Sequence, residues 1–102
     1  MEVKADSRYW KEEFGFLVYR GPNNVPIDLP EGVSDCSYMF AGMQFGVGAT
    51  LRNFDTSRVK GMSNMFSDCK NLSVIDMRNF DTSNVLYIDS MFENCKSLKT
   101  VD

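Results

Sequence analysis

Asp55-Thr56-Ser57 and Asp81-Thr82-Ser83 are the groups of side chains best suited to chemistry, and they are copies of one another. Aspartates repeated in this way could ligate calcium, and Ser57 and Ser83 carry hydroxyls of the type that act as nucleophiles. Each reading meets an obstacle in the same sequence. Calcium takes about six to eight oxygen ligands, more than one such copy supplies. A serine nucleophile needs a base beside it, and the 102 residues include no histidine. Asp, Thr and Ser ahead of an apolar stripe are, by contrast, the types whose side chains cap the free N–H groups of a first helical turn. The three cysteines, Cys36, Cys69 and Cys95, form no CxxC pair, and their odd number is unlike a secreted disulfide framework. They occupy apolar slots, where free cysteine packs as a small hydrophobe. No catalytic residue, no metal site and no cofactor is expected, and the chain is read as a non-enzyme.

The elements that would position these residues recur. "NFDTSRV" at 53–59 returns as "NFDTSNV" at 79–85, an offset of 26. The same offset relates Met39-Phe40, Met65-Phe66 and Met91-Phe92, and also Val33, Val59 and Val85. A stretch recurring at a fixed period marks a module stacked on copies of itself. In the middle copy Val59, Met62, Met65, Phe66, Cys69 and Leu72 are spaced by three or four residues, which predicts a short helix over 59–69. Ile75 and Met77 then alternate with Asp76 and Arg78, as a strand with one buried face requires. The expected fold class is therefore α/β. It is a short, right-handed, leucine-rich-repeat-like solenoid with one parallel strand and one short helix per 26-residue repeat. Residues 27–102 would form three such units. Residues 1–26 break the period and would form an N-terminal cap. There "DSRYWKEE" suggests a helical turn from Asp6 or Ser7, and Phe14, Phe16 and Val18 alternate as in a strand.

Composition narrows the partners. Net charge is −3, with 14 acidic and 11 basic residues, which argues against nucleic acid as the main partner. No run approaches the ~18 apolar residues of a membrane span, so no membrane insertion is expected. The start "MEVKADSRYWKEEF" is not a signal peptide. As written, a cytoplasmic location is expected, and the cell surface if the chain is a fragment of a longer protein.

The pattern "NFDTSNV…MF…C..L" resembles the repeat of bacterial surface leucine-rich-repeat proteins of the BspA type, over 53–102 closely and over 27–52 loosely. That resemblance implies adhesion and protein binding at a cell surface. The function expected is a non-catalytic protein–protein interaction module of bacterial or phage origin, its partner unidentified. Two alternatives are a small cytoplasmic inhibitor or host-modulating factor from a phage or mobile element, and a structural fragment of a surface adhesin.

Two surfaces stand out. The strand face pointing away from the core would carry Thr50, Arg52, Val74, Asp76, Arg78, Thr100 and Asp102. It is either a recognition strip on a regular array or a solvated face whose Arg and Asp pair with each other. The last unit ends in mid-strand, leaving an apolar edge at Met91, Leu98 and Val101. Such edges pair with other chains, so a two-fold homodimer through the C-terminal end is expected.

Overall fold

The computed structural model describes residues 5–22, 26–44, 48–49, 51–52 and 54–101, with 48, 49, 52, 100 and 101 described by their backbone alone. The chain opens with a turn in which the Asp6 carbonyl accepts from the N–H groups of Tyr9 and Trp10. A hairpin follows: β1 (Trp10–Glu13) runs antiparallel to β2 (Phe16–Tyr19). Trp10 to Glu13, which the sequence suggested as part of a helical turn, is strand. Phe14 and Gly15 form the two-residue loop, both at positive φ (54° and 85°). Two successive residues of this kind are what a type I′ hairpin turn demands.

The rest of the chain pairs with itself in parallel. β3 (Ile27–Asp28) lies beside β5 (Leu51–Arg52). β4 (Gly48–Ala49), β6 (Val74–Ile75) and β7 (Thr100–Val101) form a three-stranded sheet in that order, with Gly48, Val74 and Thr100 in line. Asp35, Gly61 and Tyr87 form a second line of parallel bridges.

Among the described residues there is no helix, and this overturns the leucine-rich-repeat-like solenoid of strand plus helix. Residues 59–69 bury the stripe that the spacing marks: Val59, Met62, Met65, Phe66 and Cys69 are all fully buried. The backbone reaches that burial differently. Met65 donates to the carbonyl of Met62 (3.3 Å), Ser67 to Asn64 (3.2 Å) and Cys69 to Phe66 (3.3 Å), a run of overlapping tight turns. The N–H groups between them point sideways into the next copy. Asn64 donates to Asp89 (3.1 Å), Phe66 to Met91 (3.0 Å) and Asp68 to Glu93 (2.8 Å). The first copy treats the second alike, with Tyr38 on Ser63, Phe40 on Met65 and Gly42 on Ser67.

The device that converts helix to turns is a left-handed residue every fourth position. Asn64 and Asp68 have φ of 57° and 61°, and the same slots hold Tyr38 and Gly42 before them and Ser90 and Asn94 after them, all at positive φ. A residue at positive φ breaks the i→i−4 ladder and suits the third position of a type II turn. Side chains still return to the core after three or four residues, so a turn chain and a helix share one apolar spacing.

The core is an aromatic stack. Phe40, Phe66 and Phe92 lie one above the next at 5.4 and 5.7 Å between ring centroids. Phe54 and Phe80 form a second stack at 5.8 Å, their ring planes nearly parallel. The hairpin closes one end, with Trp10 and Tyr19 packed on the edge of Phe40 and the Tyr19 N–H on the Met39 carbonyl (2.9 Å). Such rings contribute beyond their buried area when stacked offset or edge to face.

Candidate protein-binding surface

Asp55 and Asp81 act as local turn-formers. Each accepts from the serine two residues on, through the backbone N–H (3.0 and 2.9 Å) and through the hydroxyl (2.6 Å in both). The hydroxyl and N–H hydrogen bonds hold both carboxyls below the usual range. They do cap N–H groups as the residue types suggest, but at the head of a turn and not of a helix. Among the described residues no group of three or more His, Cys, Asp or Glu side chains converges to hold a metal ion.

The cysteines are structural. Cys69 donates its thiol to the carbonyl of Phe40 (3.1 Å) and Cys95 to that of Phe66 (3.0 Å), so each ties its copy to the one before. Burial pushes the Cys36 and Cys69 thiols up to about 12. They are therefore protonated at neutral pH, whereas nucleophilic chemistry needs the thiolate.

The strand-face residues are dispersed. Val74 is exposed on β6, and the backbone of Thr100 lines up beside it on β7. Arg52 stands on β5, which pairs with β3 in the other parallel sheet. Asp76 accepts from the Arg78 guanidinium at two points (3.0 and 2.8 Å) and from its backbone N–H (3.0 Å), which lowers the Asp76 carboxyl to about 2. Thr50 and Asp102 lie outside the described residues. At the expected edge Met91 is buried and Leu98 half-buried, while Val101 lies in β7, described by its backbone.

The more open apolar surface lies elsewhere, on three consecutive residues. Leu86, Tyr87 and Ile88 are 70%, 61% and 55% exposed. Their counterparts one copy earlier are Lys60, Gly61 and Met62, of which Gly61 and Met62 are buried. Ile88 fills the slot that Cys36 and Met62 fill within the core; in the third copy nothing among the described residues covers it. A second apolar feature is a groove of about 410 Å³ between hairpin and first copy, lined by Phe14, Phe16, Val18 and Tyr38 and rimmed by Glu13 and Arg20. Phe14 at its mouth is 98% exposed.

One family model, described as Mycoplasma protein of unknown function, DUF285, matches residues 29–101. The match takes in all three copies of the turn chain and leaves out the hairpin. No curated protein and no solved structure matches the chain.

Proposed function

The chain belongs to the DUF285 family, and from that premise we propose that it is a non-catalytic module that binds a protein. The observation that carries this reading is the exposed run Leu86-Tyr87-Ile88 on the outer face of the third copy. Scattered surface hydrophobes are ordinary, but a contiguous patch on a well-packed scaffold marks an interaction site. Tyrosine in such a patch supplies large contact area with few rotatable bonds, which is why it is enriched where binding energy concentrates. Behind the patch the third copy is held by main-chain bonds: Leu86 and Tyr87 both donate to the Lys60 carbonyl (2.7 and 3.2 Å). A surface held in place this way loses little freedom on binding.

The likeness of the repeat to those of BspA-type surface proteins supports the same reading. An inhibitor of a cellular enzyme and a segment of an adhesin are two forms of it, separated by the identity of the bound protein. Affinity capture from a lysate of the source organism tests the proposal. Leu86→Asp combined with Ile88→Asp should leave the fold intact, since both side chains face solvent, and should lose the proteins that the parent retains. Retention of the same proteins by the folded double variant would move binding away from this face.

A further inference from the structure

The line of parallel bridges through Asp35, Gly61 and Tyr87 sets one unlike residue from each copy side by side. Gly61 is the gap in that line, and a cleft of about 290 Å³ opens over it. Asp35 of the first copy lines one side and Tyr87 of the third the other, with the second copy between them. Both walls and the floor therefore lie inside the described repeats.

Gly61 is needed there for space and not for backbone conformation. Its φ is not positive. A Cβ added to it would lie 2.7 Å from Asp35 Oδ1 and 3.0 Å from Ser37 Oγ. The missing side chain lets the Asp35 carboxylate lean over the floor, where the Ser37 N–H donates to its Oδ1 (2.9 Å). Ser63 lines the same cleft, and its hydroxyl donates to Asp89 (2.7 Å), which leaves its oxygen able to accept. Lys60 stands at the rim, exposed and with no ion pair among the described residues.

These groups select a ligand class. An anion meets the Asp35 carboxylate, and a cation meets the Lys60 ammonium. A neutral ligand with several groups that both donate and accept satisfies the two charges and the hydroxyls together. Tyr87, 61% exposed, adds an aromatic face. The negative π-face of such a ring attracts the slightly positive C–H groups of a saturated ring. The cleft is just below the range of about 300–1,000 Å³ usual for small-molecule pockets, so it suits a single ring. We infer that this cleft binds one pyranose ring of a neutral sugar. The sugar stacks a C–H face on Tyr87, donates hydroxyls to Asp35 and accepts from Lys60. This site goes beyond the protein-binding reading: it shares Tyr87 with the exposed run and uses neither Leu86 nor Ile88.

The test is a titration of the 102-residue chain, followed by amide NMR, with the methyl glycosides of glucose, galactose and mannose and with N-acetylglucosamine. One ring in an open cleft should bind with a dissociation constant of about 1–10 mM. At least one of these sugars should shift the amides of Asp35, Gly61 and Tyr87 saturably. Tyr87→Ala and Lys60→Ala, which alter exposed side chains, should each weaken that binding about tenfold. Gly61→Ala, whose methyl drives the Asp35 carboxylate from the floor, should abolish it. No saturable shift from any of these sugars overturns the inference. So does sugar binding that Tyr87→Ala and Lys60→Ala leave unchanged in folded protein, or free glycine, a zwitterion, saturating the same amides as tightly as the best sugar. If no sugar binds while the Leu86 and Ile88 substitutions still abolish lysate capture, the sugar site falls and the protein-binding reading stands. If sugar binds as expected while capture ignores those substitutions, the inference stands and that reading falls.

Discussion

Phe66→Ala is expected to unfold the protein or leave it barely folded. Phe66 is fully buried, stacked on Phe40 at 5.4 Å and on Phe92 at 5.7 Å, so it is the middle member of the column that joins all three copies. Removing a core phenylalanine costs about 3–5 kcal/mol, because the lost transfer energy is joined by a cavity the neighbours cannot close. Domains are stable by about 5–15 kcal/mol, and one of this size sits near the lower end. Urea unfolding measures the loss. Phe92→Ala, at the half-buried end of the column, should cost distinctly less. A melting temperature within about a degree of the parent for Phe66→Ala would remove the column from the core, since even 1 kcal/mol shifts it by about 4–8 °C in a small domain.

The second large effect separates two residues that local sequence cannot distinguish. Thr56 and Thr82 occupy the same place in the repeated "NFDTS". Thr56 is buried, and its hydroxyl accepts from the Asp81 N–H (2.8 Å) and donates to the Asp81 carbonyl (3.1 Å). It thereby does for two adjacent copies what a strand pair would do. Thr82 is exposed. Thr56→Val keeps the volume and deletes both bonds, leaving the Asp81 N–H and carbonyl without the hydroxyl that bridged them. A loss of about 1–3 kcal/mol is expected. Thr82→Val should stay within about 0.5 kcal/mol of the parent. Equal effects from the two substitutions, measured by thermal or urea unfolding, would mean that the copies do not meet at Asp81.

Much of the molecule's inside was legible before its shape. The spacing of Val59, Met62, Met65, Phe66 and Cys69 marked five residues that are fully buried, and the 26-residue offset matches the pairing of Gly48, Val74 and Thr100. The conformation between those points is not legible from spacing, because an apolar residue every three or four positions is satisfied by a helix and by a chain of tight turns alike. The discriminating letters were present. Asn64, Asp68, Asn94 and Gly42 are types that tolerate positive φ, and they recur four residues apart or one period apart. Helix propensity counts Asn and Asp as only mildly unfavourable, so the apolar stripe outweighs them as a signal.

The surface was less legible, since exposure is a property of neighbours. Ile88 looks like Met62 in sequence and differs only because a further copy does not lie against it among the described residues. Asp76 and Arg78 fit in sequence either a recognition strip or a solvated face whose charges pair, and in the structure they bind each other. Leu86 and Tyr87 carried no periodic mark at all, because their counterparts Lys60 and Gly61 are of other types.

Left-handed residues, and not helical ones, shape each copy. Glycine and alanine placed in turn at Asn64 and at Asp68 test it most directly. Both replacements delete the same side chain, including the Asp68 carboxylate that accepts from the Asn94 amide (3.0 Å). Their difference therefore reads the backbone alone. At positive φ glycine avoids the clash that alanine meets, so the glycine variant should be more stable than the alanine variant at both positions, by about 1 kcal/mol each in urea unfolding. The reverse order, alanine above glycine by about 1 kcal/mol, is what a helix over 59–69 would give, and it would contradict the account.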